Sequence, residues 1–124
     1  MKVLLDQNLD HRLRKHLVSH EVFTASYKGW EALKNGTLLD AAEQDGFDVL
    51  VTGDQSLSDE QNLIGRRLAV VALSAIEWRI VKDYLQRIIV AVDRAAPGTF
   101  QTVDCGTFSR KEDQRRVKRR KRQA

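Results

Sequence analysis

Three short apolar runs constrain this chain most. VLL at 3–5, the VLV inside FDVLVT at 47–52, and LAVVAL at 68–73 carry no polar residue at alternate positions. A strand with one wet face would alternate polar and apolar residues, so strands of this kind must be covered on both faces. EVFT at 21–24 is a further strand candidate. The segments between the runs follow a helical period. Leu9, Leu13 and Leu17 recur every four residues, with Asp10, His11, Arg12, Arg14 and Lys15 on the other faces, and Asn8 stands at the N-cap position. Residues 25–36 form a loop carrying Tyr27 and Trp30, and a helix over 37–44 stops at Gly46. Ser58 to Gln61 has capping-box spacing and opens a short helix. A long helix over 76–95 presents Ile76, Ile80, Val81, Tyr84, Leu85, Ile88, Ile89 and Val92 as one stripe, ending before Pro97-Gly98.

Strands alternating with helices predict an α/β fold of three layers around a parallel sheet. The right-handed crossover rule leaves few topologies, and the order 2-1-3-4 satisfies it, with residues 99–105 as a weak edge strand. In such sheets ligands bind outside the carboxyl ends of the strands, where the strand order reverses. Asp6 and Asp54 fall at those ends of the first and third strands.

The 124 residues suffice for one domain with its own core. The net charge of +4 is unevenly placed: residues 110–124 hold nine basic and two acidic residues, a net +7, and residues 1–109 carry −3. The expected organisation is a folded body over 1–109 and a disordered basic tail over 110–124. Such a tail attracts nucleic acid or an acidic partner, or serves only as a solubilising extension. One cysteine, Cys105, excludes an internal disulfide framework and favours a cytoplasmic setting. The opening MKVLLDQNLD does not fit a secretory signal, and no apolar run reaches the roughly 18 residues of a membrane span.

Two carboxylates held close together repel unless a cation lies between them. An oxygen-only pair suits Mg²⁺ or Mn²⁺ and, with it, metal-assisted phosphodiester hydrolysis. The plainer reading makes Asp6 and Asp54 turn residues that lead into helices. His11, His16 and His20 lie close together but have no cysteine partner, and the helix ends near Ser19, which argues against a zinc site.

Val3-Leu4-Leu5-Asp6-Gln7-Asn8-Leu9, His20-Glu21-Val22, Gly29-Trp30, Leu33-Lys34-Asn35-Gly36, residues 47–55 (FDVLVTGDQ) and Gln61-Asn62-Leu63 together resemble a PIN-like family of small prokaryotic proteins, related to the ribonuclease toxins of toxin–antitoxin pairs. The likeness runs over about residues 1–95 in consistent order. It implies a PIN-like, Rossmann-like fold and a nuclease that places three or four acids around Mg²⁺ or Mn²⁺ to cut single-stranded RNA. Asp6 and Asp54 match the first-strand acid and the acid of the Thr-x-Asp motif. Gln7 stands where relatives often carry Glu, and neither Asn35 nor Thr37 supplies the middle acid. Asp40 one turn later and Asp59 after the third strand are the substitute ligands to examine. Asn8 and Asn35 are candidates to orient substrate, and Arg12 and Lys15 to guide RNA phosphates. An antitoxin and a second copy of the chain are the implied protein partners.

Two further readings compete. One is a non-catalytic PIN-like module that binds RNA or a partner protein. The other is a phosphoacceptor receiver domain, which would want a second acid beside Asp6 and a lysine after the fifth strand. Here Gln7 follows Asp6, and Cys105-Gly106 follow that strand.

Overall fold

The computed structural model describes residues 1–106. The basic segment 110–124 lies outside the described residues. Five strands form one all-parallel sheet: β1 (Lys2–Leu5), β2 (Glu21–Thr24), β3 (Val49–Thr52), β4 (Ala69–Leu73) and β5 (Phe100–Val103), in the order β2-β1-β3-β4-β5. The first four strands stand in the expected order, and the expected edge strand is β5, next to β4. Val3, Leu4 and Leu5 of β1 and every residue of β3 and β4 are buried.

Alternation along the strands divides the interior in two. Val3, Leu5, Val49, Val51, Val71 and Leu73 face a layer built from Leu13, Leu17, Ile88 and Val92. Leu4, Leu50, Leu68 and Val70 face the opposite layer of Leu38, Leu39, Ala42, Phe47, Leu57 and Leu63. The first layer holds the 3₁₀ helix His11–His16 together with α4 (Trp78–Val81) and α5 (Leu85–Asp93), and the second holds α2 (Asn35–Gln44) and α3 (Leu57–Glu60). The β1→β2 and β4→β5 connections cover the same face but step in opposite directions along the sheet, so they have opposite hands. The β2→β3 and β3→β4 connections share the hand of β1→β2. The single-hand rule therefore fails at the edge strand alone.

The helical segments depart from the sequence reading in specific ways. The segment after β1 is a 3₁₀ helix capped by Asp10, whose carboxylate accepts from the Arg12 N–H at 2.9 Å. Asn8 does not cap it. Residues 25–36 are not all loop: Ala25–Lys28 form α1, capped by Thr24. The α2 helix begins at Asn35 rather than Thr37, and α3 begins at Leu57, so Ser58 lies inside it. The long helix is broken into α4, a 3₁₀ turn over Lys82–Tyr84, and α5. From Ile80 onward the expected apolar stripe packs into the first layer across the break, whereas Ile76 lies before α4 and is exposed.

Leu50 is fully buried at the centre of the second layer. Leu50→Ala is expected to cost about 2–5 kcal/mol. Urea unfolding should show a lower midpoint with an unchanged slope.

Candidate functional site

The ladder between β1 and β3 runs one residue past the strand end, with the Asp6 N–H donating to the Val51 carbonyl at 2.9 Å. Asp6 is thereby held at the carboxyl edge of the sheet. Thr52 ends β3 and is the one polar residue buried as a whole among the described residues. A buried hydroxyl needs partners, and this one has two. Thr52 Oγ1 donates to Asp6 Oδ2 at 2.7 Å and accepts from the Asp54 N–H at 3.1 Å. One hydroxyl thus fixes both the carboxylate of Asp6 and the backbone of Asp54.

The other bonds complete the frame. Asp6 Oδ1 accepts from the Gln7 N–H at 2.8 Å. Asp54 Oδ1 accepts from the Ser56 N–H at 3.0 Å and from Ser56 Oγ at 2.6 Å, a turn that leads into α3. Asn8 Oδ1 accepts from the Gly53 N–H at 3.2 Å and ties the exit of β1 to that of β3. Gly53 has no room for a side chain, since a Cβ there would collide with Ile76 Cγ2.

A cleft of about 190 Å³ opens at these strand ends, with Asp6, Gln7, Asn8, Lys34, Asn35 and Asp54 as its polar lining and Leu33, Leu38, Leu50 and Leu57 as its apolar lining. Lys34 and Asn35 come from the start of α2, where Asn35 takes a φ of 48°, a conformation asparagine tolerates better than most residues. No side chain caps this helix start.

Of the residues singled out from sequence, the structure brings together Asp6, Asp54, Asn8 and Asn35. The others stand elsewhere. Asp40 pairs with Arg66 at 2.9 Å, next to Glu43, which pairs with the same guanidinium at 2.8 Å. Asp59 lines a separate depression with Asn62, Leu63 and Ile64. Arg12 grips Asp10 through two bonds of 2.9 and 2.8 Å and lies over the Trp78 ring at 5.2 Å. That grip holds the Asp10 carboxyl well below the usual carboxylate range. Lys15 is exposed on the same 3₁₀ helix, on the face of the sheet opposite the leucines that line the cleft. Trp30 packs edge-on against Phe47 at 6.0 Å, and the exposed Tyr27 lies beside Phe23 at 5.7 Å. His16 lies beside Trp78 at 5.6 Å, while His20 bonds Asp93 at 2.6 Å, so these two histidines do not converge.

Sequence reasoning gave no role to Thr52, Lys34 or Gln7. Thr52 carried a signal, a lone hydroxyl at the end of a strand that is otherwise apolar on both faces.

Asp6 and Asp54 bring carboxylate oxygens of the kind hard divalent cations take, and Asn35 adds a side-chain amide, whereas Asn8 Oδ1 is already engaged by the Gly53 N–H. Mg²⁺ is commonly held by one or two carboxylates together with water and substrate phosphate. Among the described residues no three His, Cys, Asp or Glu side chains are grouped to hold a metal ion. No family model, curated protein or solved structure matches the chain.

Thr52→Val keeps the shape and removes the hydroxyl, leaving the Asp54 N–H without its acceptor. The expected loss is about 1–3 kcal/mol by urea unfolding, whereas Thr52→Ser should retain most of the stability.

Proposed function

We propose that the cleft at the ends of β1 and β3 is the site of a Mg²⁺- or Mn²⁺-dependent endoribonuclease of PIN type, working in the cytoplasm as the toxin of a toxin–antitoxin pair. The observation that carries this reading is the joint placement of Asp6 and Asp54 in one cleft, both tied to the Thr52 hydroxyl. Asp6 and Asp54 would hold the cation, which when bound supplies an activated water and stabilises the leaving oxygen. Asn8, whose Oδ1 is engaged by Gly53, has its amide N–H₂ to offer a phosphate oxygen. Lys34 brings positive charge to the cleft, and Asn35 adds a polar group beside it. An antitoxin protein and a second copy of the chain are the partners that accompany this reading.

A second reading has a specific observation in its favour. Asp40 is held by Arg66 and Asp59 lies in another depression, so the cleft has two carboxylates where PIN nucleases have three or four. On that reading the module binds RNA or a partner protein without cutting.

The test is incubation of single-stranded RNA with the protein and Mg²⁺ or Mn²⁺, beside Asp6→Asn and Asp54→Asn from matched preparations. The nuclease reading expects metal-dependent cleavage that falls by more than about a hundredfold in each variant. Salt-sensitive RNA binding without cleavage in any of the three would favour the non-cutting module.

A further inference from the structure

The opposite end of the sheet order carries a feature unrelated to the cleft. Among the described residues β5 is the last strand, and its one neighbour in the sheet is β4. The Val70 N–H donates to the Thr99 carbonyl at 2.9 Å, and the Ser74 N–H to the Val103 carbonyl at 3.1 Å. In a parallel ladder alternate residues bond to the same neighbour, so Thr99, Gln101 and Val103 turn their backbone groups to β4. Phe100 and Thr102 turn theirs outward. The strand itself, FQTV, has no proline, lysine or bulge to block pairing.

Beside this edge lies a groove of about 400 Å³ between β5 and α5. Val90 and Ala91 contribute apolar surface to it, Val90 being 37% exposed, and Gln101 is anchored to the Ala91 carbonyl at 3.1 Å. Two arginines line it. Arg87 donates to the Asp104 carbonyl at 3.0 Å and lies over the Tyr84 ring, and Arg94 has no carboxylate partner among the described residues. Asp104, the one acid in the lining, is engaged with the Gly106 N–H at 2.7 Å. The sequence just beyond the described residues adds +7 over 110–124.

We propose that the outer edge of β5 and its groove bind an extended acidic peptide segment, which adds a sixth strand to the sheet. The outward backbone groups of Phe100 and Thr102 give the ladder, and every second side chain of the added strand faces the groove, where Val90 and Ala91 receive the apolar ones and Arg87 and Arg94 meet the carboxylates. A nucleic acid would satisfy the arginines but has no peptide groups to pair with the strand edge. This surface is independent of the nuclease reading, and neither stands or falls with the other.

The probe is a fluorescein-labelled peptide of about ten residues with the repeat Val-Thr-Glu-Thr, long enough to cover a typical strand and with valine and glutamate on one face. It is titrated into the full chain at low and moderate salt, beside the same peptide N-methylated at every second amide. The expected result is saturable binding, weakened about tenfold or more by N-methylation and by Arg94→Glu. Arg94 is exposed and outside both core layers, so the variant should fold, and its circular dichroism spectrum checks this. Equal binding of the two peptides, or unchanged binding by Arg94→Glu, would overturn the proposal and assign the attraction to the basic tail alone. Displacement by a single-stranded oligonucleotide with equal binding of both peptides would assign the surface to nucleic acid. Absence of peptide binding in a chain that sediments as a dimer, and becomes monomeric in Thr102→Pro, would give the edge to a second copy instead.

Discussion

β1 and β3 are covered on both faces, and the rest of the molecule is arranged around that burial. Each fully buried valine or leucine contributes about 1.5–3 kcal/mol, and nine of the thirteen residues of β1, β3 and β4 are buried valines or leucines. Such strands need a helical layer on either side, and the connections that build those layers leave from the carboxyl edge. β1 sits between β2 and β3, so the chain reverses direction across the sheet at that point. The opening left there is the cleft. Asp6 and Asp54 share it because the ends of two buried strands are neighbours, and one hydroxyl at the end of β3 fixes both.

The strands were legible because apolar runs without alternation have few other uses, and connections of one hand accommodate the order of the first four strands but not the place of β5. Helix boundaries were less so, for local reasons. The leucines at 9, 13 and 17 mark a buried stripe, but the Asp10–Arg12 pairing sets a tight 3₁₀ turn that a four-residue period does not reveal. The break at Lys82–Tyr84 was hidden in the same way. Asn8 looked like a cap because it follows a strand and precedes the leucines. Its side chain instead reaches the Gly53 N–H, and no local rule anticipates a bond across 45 positions.

The candidate site was legible to the extent that topology determines it. Asp6 and Asp54 follow from strand ends, and Asn8 and Asn35 lie close to the same edge. The fates of Asp40 and Asp59 depend on partners distant in sequence or on a loop's course. Arg66, 26 positions from Asp40, takes that carboxylate away from the cleft. Arg12 and Lys15 follow Asp6 closely in sequence, yet the sheet lies between their helix and the leucines of the cleft, because the β1→β2 connection and α2 cover opposite faces.

The central claim is that Asp6 and Asp54 act as one site. Substoichiometric Mn²⁺ added to ¹⁵N-labelled protein tests it directly, since a paramagnetic ion broadens the amide signals nearest to it. The account predicts that the amides of Asp6, Gln7 and Asn8 broaden together with those of Gly53, Asp54 and Gln55, and that Asp6→Asn removes both effects at once. Broadening of one group without the other, or of both in Asp6→Asn as in the wild type, would contradict it.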